Sequence, residues 1–332
     1  MNMATNYMGL SLSNPLMVGA SPFADDLDMV KRLEDAGASA IVMHSLFEEQ
    51  IVGEQIATET LVDAPAESFA EAITYFPNPA NFKLGPDEYL RQITRIKESV
   101  KIPVIASLNG TTPGGWLKFA QLMAQAGADA LELNVYFLAT DHHETAQMVE
   151  DHALEMFSIV KTSVKIPVAV KLSPFYSSFA NFAVKLSGAG ADAIVIFNRF
   201  YQPDINVEDL EVQRKLNLSN SSELLLRLQW LAILSGRIQT SLAVTGGVHT
   251  EIDVIKSIMS GANAVQMVSA LLKNGPEYLK VVHGNLVKWM EEHEYNSVHQ
   301  MQGSMNLVRC PDPKGYERSN YLHILKSWSI NR

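Results

Sequence analysis

Gly37-Ala-Ser-Ala-Ile-Val42, Gly127-Ala-Asp-Ala-Leu-Glu132, Gly190-Ala-Asp-Ala-Ile-Val195 and Gly261-Ala-Asn-Ala-Val-Gln266 are four near-copies of one hexapeptide. Each follows a stretch with helical spacing and runs into an apolar strand. Glycine supplies the left-handed residue that ends a helix, and the small residues after it let the chain turn tightly into a sheet. Four copies spread over most of the chain imply a repeated helix-to-strand unit, hence a parallel α/β fold.

Four further strands fill the gaps. Pro15-Leu-Met-Val-Gly19 comes first, and Ser241-Leu-Ala-Val-Thr245 comes late. Ile102-Pro-Val-Ile-Ala-Ser107 and Ile166-Pro-Val-Ala-Val-Lys171 share an Ile-Pro entry, where proline is tolerated at the start of a strand. In order, eight strands are predicted to end near Gly19, Met43, Ser107, Asn134, Lys171, Phe197, Thr245 and Met267. Helices are predicted over Asp26–Ala36, from Gly85, and after the capping cluster Ser219-Asn-Ser-Ser-Glu223.

Eight such units predict an α/β fold of the (β/α)8 TIM-barrel kind, one domain over residues 1–332. A doubly wound open sheet is the alternative. It is disfavoured because the first strand lacks a Gly-x-Gly-x-x-Gly turn. Two segments exceed a simple connection, at about 46–87 and 199–219, and are expected to shape or cover a site on the C-terminal face.

The chain carries a net charge of −10 and no strongly basic block, which argues against nucleic acid or an anionic membrane surface as partner. Its one cysteine, Cys310, rules out an intramolecular disulfide and a cysteine-ligated iron–sulfur or zinc centre built by this chain alone. The start, Met1-Asn-Met-Ala-Thr-Asn-Tyr7, lacks the basic and apolar runs of a signal peptide. No stretch reaches the roughly 18 apolar residues of a membrane helix. A cytoplasmic protein is expected.

Barrel chemistry sits at the C-terminal ends of the strands. Here these carry Ser21, Ser45, Ser107, Asn109, Asn134, Lys171 and Asn198, then Thr245-Gly-Gly247 and Ser269. Most are neutral hydrogen-bonding groups, with Lys171 the one fixed cation. No pair of carboxylates and no His/Asp/Glu cluster is expected to converge there, so hydrolysis by two acids or by a metal does not fit. Gly246-Gly247 and Ser269-Ala270, each leading into a helix N-terminus, read as an anion cradle in the loops where barrels bind phosphate. A plain tight turn is the alternative for the glycines.

Lys171 would stabilise negative charge on a bound ring; a solvated surface lysine is the alternative. Asn134 and Asn198 can each read an amide-like ring with one donor and one acceptor, or can simply form turns. Asp141-His142-His143-Glu144 reads as a solvated loop and not a metal site, because adjacent histidines point apart on most backbones. No metal is expected.

Read in order, Leu12-Ser-Asn-Pro-Leu16, Leu131-Glu-Leu-Asn134, Val168-Ala-Val-Lys-Leu-Ser173, Thr245-Gly-Gly-Val248 and Ser269-Ala-Leu-Leu-Lys-Asn-Gly-Pro276 resemble the dihydroorotate dehydrogenase family over nearly the whole chain. The resemblance implies a class 1-like, cytosolic flavoenzyme of pyrimidine biosynthesis, with flavin mononucleotide (FMN) as cofactor. In that reaction a base removes a proton from C5 of dihydroorotate while hydride passes from C6 to the flavin. The resemblance places Lys171 near the flavin pyrimidine edge and Ser45 beside the flavin. It makes Gly246, Gly247, Ser269 and Ala270 the phosphate backbone, and adds Ala20, Ser107, Asn109 and Asn134 to the flavin set. Asn134, Asn198 and Asn81 are its substrate residues. Some members work with an iron–sulfur flavoprotein; the default for this chain is a homodimer with a small-molecule substrate.

The departures bear on the chemistry. In the family a Ser-Cys-Pro-Asn-like run, or its serine version, follows Glu-Leu-Asn and holds the base. Here the run is Asn134-Val-Tyr-Phe-Leu-Ala-Thr-Asp141, which sets Phe137 where the base belongs. His44 replaces a lysine, and Arg199 replaces a serine. Thr140 is the substitute base on this reading, with Tyr136, His142 and His143 as neighbours. A flavoenzyme acting on another ring or enone is the close alternative, and a flavin-free phosphate-binding lyase or isomerase the distant one.

Overall fold

The computed structural model describes residues 1–47, 85–110, 112–199, 202–213, 216–318 and 320–327. A short antiparallel hairpin, β1 (Thr5–Tyr7) with β2 (Leu10–Leu12), precedes the barrel. Eight parallel strands then close on themselves. They are β3 (Leu16–Ser21), β4 (Ile41–Phe47), β5 (Val104–Asn109), β6 (Ala130–Asn134), β7 (Val168–Leu172), β8 (Ala193–Ile196), β11 (Ser241–Thr245) and β12 (Ala264–Met267). The (β/α)8 barrel read from the repeats is the fold. The strands at Gly19, Met43 and Ser107 run two to four residues further than read, to Ser21, Phe47 and Asn109. Polar and mixed residues there continue the ladder, so apolar content alone stops too early.

Each letter of the repeated hexapeptide has a structural job. Gly37, Gly127, Gly190 and Gly261 all have positive φ, between +92° and +123°, and end the preceding helix. The polar third residue ties down the neighbouring strand. Asp129 accepts from the Val104 amide at 2.7 Å and Asp192 from Val168 at 2.7 Å. Asn263 accepts from Leu242 at 2.9 Å, and the Ser39 hydroxyl donates to the Leu16 carbonyl at 2.7 Å. The fourth residue, Ala40, Ala130, Ala193 or Ala264, points into the barrel and is fully buried. The four repeats lie on alternate strands, so these alanines form one layer of the barrel interior. Small side chains fit there because four of them meet near the axis.

The hairpin β1–β2 plugs the N-terminal end with Tyr7, Met8 and Leu12, all packed on the barrel interior. The larger core lies between the sheet and its helices, among Leu33, Ile93, Phe157, Phe182 and Leu286. The helix over Leu27–Asp35 is capped by Asp26, and the one over Pro86–Ser99 starts with proline in its first turn. Within the 199–219 insertion a second hairpin forms, β9 (Asp204–Asn206) with β10 (Glu211–Gln213). Most of the 46–87 insertion, including Asn81, lies outside the described residues. Among the described residues no helix is long and apolar enough to cross a membrane.

Candidate functional site

Inward-facing residues alternate along the strands, so the side chains two and four positions past the alanine layer rise towards the C-terminal mouth. On β6 these are Glu132 and Asn134, on β7 Lys171, on β12 Gln266. Glu132 is buried beneath the mouth. Its Oε1 lies 3.1 Å from Lys171 Nζ, and its Oε2 accepts from Gln266 Nε2 at 2.6 Å. Lys171 is therefore neither a surface lysine nor a lone cation: it is a buried ammonium fixed by a buried carboxylate. Sequence reading did not name Glu132, a single carboxylate that pairs with the lysine. The signal for it was the shared parity of Ala130, Glu132 and Asn134 on one strand face. Below the cluster, burial and the Glu132 charge push the Tyr7 phenol well above its ordinary pKa.

Beside the lysine runs a chain of neutral groups across four strands. The Ser107 and Ser45 hydroxyls are 2.8 Å apart, Asn134 Nδ2 donates to Ser45 at 3.1 Å, and Asn198 Nδ2 donates to Asn134 Oδ1 at 2.7 Å. Asn134 is thus bonded at both ends of its amide and acts as a link in the chain. Asn198 stands at the end of that chain. Asn109 is buried, and among the described residues its Nδ2 has no hydrogen-bond partner; the same holds for Ser21 Oγ and Gln266 Oε1.

A cavity opens over these groups. It is bounded by Ala20, Lys171, Asn198 and Gln266 on one side and by Ser219, Gly246, Gly247 and Ser269 on the other. Gly246 and Gly247 both have φ of +82°. A Cβ on Gly247 would sit 2.5 Å from the Leu224 amide nitrogen, and one on Gly246 would sit 2.7 Å from Arg227 Nη2. The helix over Ser269–Asn274 has no side-chain cap, so the Ser269 and Ala270 amides are left for another acceptor. The helix after Gly247 differs from expectation. Its N-terminus is closed by a Thr250/Asp253 capping box, and Asp253 Oδ2 also takes the His249 amide at 3.0 Å. A carboxylate already occupies that end, which leaves the Gly246-Gly247 turn and residues 269–270 as the candidate amides for an anion.

Two arginines stand at this end of the cavity. Arg199 is held by both oxygens of Glu223 at 3.2 Å, so Lys171 is not the only cation at the mouth. Arg227, on the helix Leu224–Leu234, is buried under Gly246. The insertion contributes Ser219, whose hydroxyl accepts from the Gly247 amide at 3.3 Å and lies 3.1 Å from His249 Nε2. Burial pulls the His249 pKa below its ordinary value. Sequence reading found neither Arg227 nor Ser219 as site residues. The lone arginine in Leu224-Leu-Leu-Arg-Leu-Gln-Trp230 was the available sign.

The loop after β6 faces solvent at Tyr136, Phe137 and Thr140. The Phe137 ring leans on His152 at 6.1 Å between centroids. His142 and His143 do not point apart: their rings lie side by side, 4.0 Å between centroids. With Asp141 they bring ligand atoms within 4.8 Å of one another, all exposed in the loop. His44, at the rim, has Nδ1 2.7 Å from Asp25 Oδ1 and stands edge-on to Tyr89.

A family model described as dihydroorotate dehydrogenase matches residues 2–290. Three similar proteins carry the name dihydroorotate dehydrogenase B (NAD(+)), catalytic subunit. The one from Methanocaldococcus jannaschii is 25% identical over 87% of this chain and 93% of its own length. That from Thermoplasma volcanium is 27% identical over 91% and 98%. That from Pyrococcus abyssi is 25% identical over 90% and 97%.

Proposed function

The chain belongs to the dihydroorotate dehydrogenase family, and on that premise we propose that it is an FMN-dependent oxidoreductase of CH–CH donors, with dihydroorotate as substrate. The observation that carries the reading is the pair of loops at Gly246-Gly247 and Ser269-Ala270. A side chain at either glycine would collide with Arg227 or the Leu224 backbone, so the chain turns there on bare backbone, the kind of turn whose amides can take an anion. Bound flavin would supply the two-electron acceptor. The residues present suit its ring. Asn109 Nδ2, Gln266 Oε1 and Ser21 Oγ are buried polar atoms in need of partners, and a flavin pyrimidine edge offers both donors and acceptors.

Each remaining residue then has a task. Lys171, held by Glu132, places fixed positive charge at the floor of the cavity, where negative charge on a reduced ring is stabilised. Ser45, Ser107 and Asn134 brace one another and fix the amide of Asn198, whose Oδ1 accepts from a ring N–H of the substrate. Ala20 lies on the cavity wall. Asn81 is kept as a substrate residue on the resemblance. Thr140, exposed in the loop after β6, is the proposed base. We further read the protein as a single-domain, cytoplasmic homodimer.

A second reading keeps the flavin and changes the substrate to another ring or enone. Phe137 favours it, because a phenyl group stands where a proton acceptor belongs. Anaerobic mixing of purified, yellow protein with dihydroorotate tests both. Bleaching of the flavin band supports the first reading. A flavin band that persists would refute dihydroorotate and leave the second. Colourless protein that gains no band with added FMN would refute both.

A further inference from the structure

Arg227 carries a buried charge that no carboxylate pairs with among the described residues. It is 6% exposed. Its Nε donates to the Thr245 carbonyl and its Nη1 to the Glu223 carbonyl, each at 2.5 Å. Both partners are neutral backbone. Among the described residues no carboxylate lies within ion-pair distance of it, and the Glu223 carboxylate is already taken by Arg199. Burying a cation this way is costly unless an anion compensates it. The guanidinium lies against the back of Gly246, with Nη2 2.7 Å from where a Cβ would be. Only one residue of backbone separates it from the cavity.

We propose that Arg227 is a positioning residue whose buried charge, set behind the Gly246–Gly247 loop, makes the site select a phosphorylated ligand over the same ligand without its phosphate. This rests on the flavin reading of the cavity. The arginine does so in two ways. Its fork holds the Thr245 and Glu223 carbonyls together, which joins the end of β11 to the start of the helix at Leu224. With those two carbonyls engaged by the guanidinium, the loop is free to aim its amides at the ligand. Its charge then acts on the phosphate through a single layer of backbone, where the medium screens it less than water would.

The test compares FMN with riboflavin on protein stripped of flavin, in wild type, Arg227→Met and Arg227→Lys. Wild type is expected to prefer FMN. Arg227→Met is expected to lose about 10- to 100-fold in FMN affinity, the effect of one poorly screened charge, and less than about threefold for riboflavin. Arg227→Lys keeps the charge without the fork and should retain most of the preference. It also serves if Arg227→Met fails to fold. Equal losses for both ligands in Arg227→Met, or loss of the preference in Arg227→Lys, would overturn the proposal.

Wild type that binds neither flavin would sink the flavin reading instead. Inorganic phosphate then decides the role of Arg227. A rise in melting temperature with phosphate that is absent in Arg227→Met supports it, and no rise in wild type refutes it.

Discussion

Gly247→Ala is the sharpest test of the loop geometry, because the methyl group meets backbone and not a movable side chain. Its Cβ would lie 2.5 Å from the Leu224 nitrogen and 3.0 Å from the Glu223 carbonyl carbon. Relief requires the start of the helix Leu224–Leu234 to move. A non-glycine residue in the left-handed region costs about 1–2 kcal/mol. Forcing an extra methyl into packed structure costs about 1–3 kcal/mol more. The sum is roughly 2–5 kcal/mol. Unfolding entropy of about 2.1 cal/mol/K per residue gives a chain of 332 residues roughly 0.7 kcal/mol per degree. The melting temperature should therefore fall by roughly 3–7 °C.

FMN affinity should fall by more than about tenfold, since the amides the phosphate uses are displaced. Gly284→Ala is the matched control. Gly284 lies inside the helix Tyr278–Glu292, with nothing within 4 Å of its added methyl. There alanine should be neutral or stabilising by about 0.5–1 kcal/mol. Scanning fluorimetry of the two variants and flavin fluorescence after desalting provide the readouts. Gly247→Ala that melts with wild type and keeps its flavin would refute the reasoning.

Three more outcomes are expected. Glu132→Gln breaks a buried ion pair and should cost about 3–5 kcal/mol, while adding Lys171→Met in the same chain should recover part of that; denaturant melts showing additive losses would mean the pair is not coupled. Burial lowers the pKa of both His249 and His283, so each binds a proton less readily folded than unfolded. Their contribution to stability is complete above the unfolded value of about 6.5 and is lost as pH falls below it. A melting temperature whose fall between pH 7.5 and 5.5 is unchanged in the His249→Gln, His283→Gln double variant would contradict this. Finally, Thr140→Val keeps shape and removes a hydroxyl, so it should slow anaerobic flavin bleaching by dihydroorotate by about 10²-fold or more if Thr140 is the base. Unaltered bleaching would remove Thr140 from the chemistry.

The sequence alone determined the barrel, because the rule that builds it is local. Glycine ends a helix, a polar residue ties down the neighbouring strand, and alanine fills an interior layer, four times over. Strand ends fix where a barrel places its site, so Lys171, Asn134, Asn198, Gly246, Gly247 and Ser269 stand out as candidates from the sequence. What they do to one another was not. Lys171 meets Glu132 from the next strand, and Glu132 takes Gln266 from four strands away round the barrel. Arg227 reaches Gly246 from a helix that precedes β11. The helix end after Gly247 proved to be closed by Asp253. These pairings join residues 19 to 134 positions apart, or turn on which way a side chain leaves a helix. No spacing in the chain encodes such distances; they exist only once the barrel has closed.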